Sequence, residues 1–177
     1  MMPEEALRFT NPQRSLVFRA LNEAEERIAG YYCIPPFRWE NLRYDLLTRE
    51  DHGWEPLPDL MLARVRCLQR VNPIKPFHFY RIELDDNSIL TAAEREDLLN
   101  DTYLYSFFVY ILTHEMVHMV RISSILERGP DTIAHADESE EERVQRISRR
   151  ILEGSSSYLP VLERFCNESR FFILPGA

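Results

Sequence analysis

Lysine is nearly missing from this chain of 177 residues: Lys75 stands alone beside twenty arginines. That bias carries no functional reading by itself. A basic surplus is lacking too, since 29 acids outnumber 21 bases and leave a net charge of −8. Chains that track phosphates usually carry a basic face, so nucleic acid is not the expected partner. Cysteine is scarce and odd in number, and Cys33, Cys67 and Cys166 form no CxxC pair. This excludes a disulfide scaffold and a thiolate zinc site, leaving buried free thiols of the kind a reducing compartment keeps. The most apolar stretch, residues 103–113, falls short of the roughly 18–20 residues that a membrane span requires. The start, Met1-Met2-Pro3-Glu4-Glu5, is acidic and has no apolar secretory core. No internal repeat is evident. The expectation is a cytoplasmic protein with no membrane association.

What is present is a globular composition, with 45% hydrophobic and 28% charged residues. A chain of this length removes about 68–75% of its unfolded surface from water and needs no covalent staples. Disorder is excluded, and one domain over residues 1–177 is expected. Residues 15–29 place Leu16, Val17, Leu21, Ala24 and Ile28 at helical spacing, ending at Gly30. Residues 31–58 are rich in proline and aromatics and read as mostly irregular, with a short helix around 40–48. The aromatic part, 31–54, suits either a lid or an interface. Residues 60–68 and 77–84 read as strands, the second closed by Asp85-Asp86-Asn87. Thr91 and Glu94 have the spacing of a capping box that opens a helix to residue 100. Residues 102–127 are apolar on nearly every side and predict a central helix. Further helices are expected at 137–153 and 157–166, and a last strand at 171–174. The fold class is α+β, with strands ahead of the main helices.

The central helix carries His114-Glu115-Met116-Val117-His118, the HExxH pattern. Helical residues four apart lie about 40° apart around the axis and roughly 6 Å along it. Two imidazoles so placed can converge on one zinc ion at about 2.0–2.1 Å each. Glu115 lies about 100° round from His114, too far to share the ion comfortably but near enough to take a proton from an adjacent water. One turn thus offers two ligands and a general base. Leu104, Phe107, Ile111 and Ile122 share the histidines' stripe. Imidazoles without a partner would be costly there, and a shared metal removes that cost.

A catalytic zinc takes a third protein ligand and leaves the fourth position open. One candidate is His135. Others lie in the run Asp137-Glu138-Ser139-Glu140-Glu141-Glu142. Val144, Ile147 and Ile151 set the core face of the helix that this run opens; Glu140 and Glu141 lie toward that face, while Glu138 and Glu142 point away. The helix dipole and Arg143, Arg146, Arg149 and Arg150 account for most of the acids. The residues alone leave Glu140, Glu141 and His135 open as the third ligand.

HExxH followed some two dozen residues later by a glutamate on a second helix resembles the gluzincin branch of zinc metallopeptidases. Within it, the small bacterial immunity metallopeptidases that cleave phage repressors read ExxA(N/D)xxA on the second helix. Laid over residues 141–148, that pattern puts Glu141 on the ligand, Val144 on the small alanine and Gln145 on the Asn/Asp that orients a ligand histidine. Val144 and Gln145 depart from it. The resemblance covers residues 91–154. It implies a minimal zincin-like domain, a small sheet packed on the HExxH helix and a glutamate-bearing second helix. It further implies Zn²⁺ held by His114, His118 and Glu141, with Glu115 as general base in peptide-bond hydrolysis. The peptide or protein substrate would lie along an edge strand, for which 77–84 is the candidate. Tyr158 and His135 are possible donors to the oxyanion.

Rival metal folds fit less well. A metzincin needs a glycine and a third histidine where Arg121 and Ser124 stand. A SprT-like site would use His135 but lacks the Gly-His-Gly setting. A di-iron bundle needs a second Glu-x-x-His, which the chain lacks. The alternative from another class is a catalytically silent zincin-fold protein that binds metal or regulates a partner.

Overall fold

The computed structural model describes residues 6–70, 73–74, 77–128 and 139–166, without the side chains of 124–128. The first helix, α1 (Asn11–Tyr31), begins earlier than its apolar spacing suggests because Thr10 and Gln13 close a capping box. The Gln13 N–H donates to the Thr10 hydroxyl, and the Thr10 N–H donates to the Gln13 side chain. Pro12 sits in the first turn, where a missing N–H removes no helical bond. A single turn, α2 (Pro36–Trp39), follows.

The expected short helix around 40–48 is instead a strand, β1 (Leu42–Leu47). Leu42, Tyr44 and Leu46 alternate with Arg43 and Asp45, which is period two, and pairing with a distant strand decides the outcome. β2 (Ala63–Gln69) and β3 (His78–Leu84) form where two strands were expected. The sheet order is β1-β3-β2, with β1 parallel and β2 antiparallel to β3. The strand at 77–84, expected as the open edge, is therefore the central one, bonded on both sides. Its His78, Tyr80, Ile82 and Leu84 are buried on one face.

The next helix, α3 (Asp86–Arg95), does not start at Thr91. Asp85 caps it by accepting from the Ser88 N–H at 2.9 Å, so the acidic run that seemed only to close β3 opens a helix. The helix stops short of residue 100, and Asp97 takes a positive φ of 56°. α4 (Asp101–Arg128) is the expected central helix, capped by the Asn100 side chain on the Tyr103 N–H. α5 (Glu140–Leu152), a 3₁₀ turn (Ser156–Tyr158) and α6 (Leu159–Phe165) complete the described chain. The strand expected at 171–174 lies outside the described residues.

Buried apolar side chains form one cluster centred on α4, where Leu104, Phe107, Phe108, Tyr110 and Ile111 are enclosed. Phe107 stacks on Phe165 of α6 with centroids 4.4 Å apart, and Phe9 meets Phe108 edge-on. α1 and α5 pack along α4, and the sheet reaches α4 chiefly through β2. This is a small α+β architecture. Among the described residues no helix is long and apolar enough to cross a membrane. The three cysteines are free, as expected, but none is fully buried: Cys33 is exposed, and Cys67 and Cys166 are half-buried. It sits just after α1 with a φ of 50°, beyond the reach of the core.

Candidate metal centre

Two helices build the centre. His114 and His118 follow one another by a turn on α4, with ring centroids 4.9 Å apart and planes at 70°. The apolar stripe sinks His114 completely and leaves His118 partly open. On α5, Ser139 and Glu142 close a capping box that fixes where the helix begins. Val144, Ile147 and Ile151 hold that helix to the core, so its first turn arrives beside the histidines. Glu141 then spans both rings, with Oε1 2.8 Å from His114 Nε2 and Oε2 3.1 Å from His118 Nε2.

Ligand atoms of these three residues all lie within 4.8 Å of one another. Donors sharing a tetrahedral ion at about 2.0–2.1 Å would stand about 3.4 Å apart. The trio therefore has the size and donor chemistry to hold one metal ion, through two imidazole nitrogens and a carboxylate oxygen. Electrostatics agree with that pairing. Burial pushes the Glu141 carboxyl up, but His114 and His118 outweigh it and hold the pKa at about 2. Burial likewise depresses the His118 imidazole, and the bond to Glu141 overcomes this and raises it.

Glu115 lies beside the trio, 3% exposed. Burial raises its pKa, and the two histidines only partly counter that. The backbone of Val65 on β2 lowers it slightly, so the carboxyl group lies between the helix and the strand. A cleft of about 160 Å³ opens here, with His114, Glu115, His118 and Glu141 on one side and Met61, Val65 and Ile122 among its walls. The arrangement thus joins three donors that could hold a cation, a buried carboxyl group with a raised pKa, and an apolar-walled opening.

Of the possible third ligands, Glu141 is brought to the histidines and Glu140 is not. Glu140 forms a two-point ion pair with Arg121 of α4, at 2.5 and 2.9 Å. His135 lies outside the described residues. Tyr158, a possible oxyanion donor, is elsewhere: its hydroxyl donates to Glu23 at 2.7 Å beneath the Arg27 guanidinium, and it does not line the cleft. Gln145 donates its amide to the Phe165 carbonyl at 3.0 Å, tying α5 to α6. Two contributors escaped the sequence. Val65 acts through its backbone, which no side-chain pattern reveals. Arg121 could have been noticed as the cation one turn beyond His118, facing the acid that adjoins Glu141. Comparison with protein-family models, curated proteins and solved structures gives no match.

Proposed function

We propose that this protein is a zinc-dependent metallopeptidase of the gluzincin type. His114, His118 and Glu141 hold the ion, and Glu115 is the general base. The observation that carries this reading is the convergence of three ligand atoms beside a buried glutamate at an open cleft. A zinc ion bound there would polarise a substrate carbonyl and lower the pKa of a water toward about 7.

Glu115 accepts the proton of the attacking water and later delivers it to the leaving amine. Its raised pKa favours both steps, because a base nearer neutrality also returns the proton readily. β2 is the sheet edge beside the cleft and replaces 77–84 as the strand along which an extended peptide would lie. The acid surplus favours a peptide or protein substrate over nucleic acid. Free cysteines fit the reducing environment of a cytoplasm.

Purified protein should carry about one zinc per chain by elemental analysis, lost in His114→Ala. Glu115→Gln should keep the zinc and abolish hydrolysis of unstructured peptides. A chain without metal after zinc reconstitution would reject the centre, and hydrolysis surviving in Glu115→Gln would reject the base. A second reading, a catalytically silent metal-binding or regulatory protein, is favoured by one observation. The cleft, at about 160 Å³, is smaller than the roughly 300–1,000 Å³ of most ligand pockets. Zinc bound without peptide hydrolysis in the intact chain would decide for it.

A further inference from the structure

Across the sheet from the candidate metal centre, β1 is an edge strand among the described residues, in the order β1-β3-β2, and carries few of the features that usually blunt a strand edge. It contains no proline, lysine or bulge; the register irregularity of this sheet lies between Cys67 and Gln69 on β2. The His78 N–H donates to the Asn41 carbonyl at 3.1 Å. In a parallel ladder only alternate residues face the neighbour. Asn41, Arg43, Asp45 and Leu47 therefore direct their backbone groups to β3, and Leu42, Tyr44 and Leu46 direct theirs outward. Beside this edge runs an open groove walled by Phe18 and Leu21 of α1, Trp39, and the side chains of Leu42, Tyr44 and Leu46. Phe18 is 56% exposed.

The strand is also self-complementary. Turned antiparallel about a two-fold axis at Tyr44, it pairs Tyr44 with its own copy and Leu42 with Leu46. These are the residues with outward backbone groups, so they form the hydrogen-bonded pairs. Arg43 then falls opposite Asp45, twice, in the closer non-hydrogen-bonded pairs, where opposite charges attract and like charges repel. Asp45 already accepts from Arg81 at 2.8 Å, so each contact would extend an existing ion pair into an Arg–Asp–Arg row. β2, the other edge, has the opposite character. The same operation about Val65 would set Arg64 against Arg66.

We propose that β1 is the interface of a homodimer, in which two copies join their three-stranded sheets into one six-stranded sheet through antiparallel β1–β1 pairing. The Phe18 grooves flank the junction. The occupant of the edge is a second copy of this chain rather than a foreign peptide, because the charge pattern matches itself. Such an interface is isologous, the commonest form among soluble oligomers.

Sedimentation velocity of the full chain over rising concentration should show a monomer–dimer equilibrium. Arg43 is exposed, so Arg43→Asp should fold normally and weaken the dimer at least about tenfold by setting like charges opposite each other. Asp45→Arg should do the same, and an equimolar mixture of the two variants should dimerise again, since each supplies the charge that the other lacks. Amide exchange provides a test without substitution. The N–H groups of Tyr44 and Leu46 should slow as concentration rises, while those of Arg43 and Asp45, already bonded to β3, should not change. A chain that stays monomeric at several hundred micromolar would overturn the proposal. So would a dimer indifferent to Arg43→Asp, a mixture that does not restore pairing, or exchange at Tyr44 independent of concentration.

Discussion

Glu140 and Glu141 are the same residue at adjacent positions, and the roughly 100° of helix rotation between them separates their surroundings completely. Glu141 reaches His114 and His118, whereas Glu140 is held by the planar fork of Arg121. That fork presets the first turn of α5 against α4, so it should tune metal affinity without touching the ion. Arg121→Met is expected to weaken zinc binding roughly 10–100-fold, the usual range for groups that support a ligand. Arg121→Lys should recover only part of it, because an ammonium cannot bridge two carboxylate oxygens in a plane. The exchanged pair Arg121→Glu/Glu140→Arg should recover more. Chelator competition measures all three. In the same assay Glu141→Ala should lose more affinity than Arg121→Met, and His135→Ala should lose little; the reverse order would move the third ligand to the histidine. At this scale the sequence was informative for α4, since HExxH sets two histidines and a glutamate on one turn by helix geometry alone. It was ambiguous for α5, where helical facing admits both glutamates and only the approach of α4 separates them.

Between elements, one carboxylate joins three. Glu23 of α1 accepts from the Tyr105 hydroxyl of α4 at 2.9 Å, from the Tyr158 hydroxyl at 2.7 Å and from Arg27 at 2.8 Å. Burial pushes its pKa up, but these donors outweigh that and hold it below the usual value of 4.5. A carboxyl group depressed by folding adds stability above its unfolded pKa and loses that contribution as pH falls through the lower folded value. Glu23→Gln should therefore lower the melting temperature clearly at pH 7, and the gap should narrow as pH drops below about 4. A gap constant from pH 7 to pH 3 would mean that the charge of Glu23 contributes nothing. This link also explains why Tyr158 does not line the cleft: its hydroxyl is committed to α1. Elements differ in how readable they are. α4 needs little help to declare itself, because it is apolar all round and long. β1 could not, since its six residues fit a short helix as well as a strand until β3 supplies a partner. α3 was displaced because two capping signals compete, and Asp85, with the chain already turning out of β3, takes the role ahead of Thr91.

For the molecule as a whole, the candidate metal centre bridges α4 and α5 and borders β2, so an ion there would bind the native state and not the unfolded chain. Zinc at about a thousand times its dissociation constant should add roughly 4 kcal/mol, which raises the melting temperature by about 8–16 °C for a chain of this size. Calorimetry with zinc and with a chelator measures this, and His118→Ala should melt at one temperature in both. A full chain that melts identically with and without zinc would remove the metal from the account of stability. The two sheet edges differ in their surroundings. β2 borders the cleft beside Glu115, while β1, on the other side of β3, is the edge proposed to pair with its own copy.

By itself, the sequence determined the α+β class, the central helix, and the placing of two histidines and a glutamate on one turn. Local periodicity suffices for those, because residues three and four apart on a helix meet whatever the rest of the chain does. Tertiary structure alone decided that Glu141 rather than Glu140 meets the histidines, that 77–84 is the centre of the sheet, and that Tyr158 serves α1. Each depends on which surfaces of distant segments pack together, and that information belongs to pairs of elements. No single element's pattern contains it.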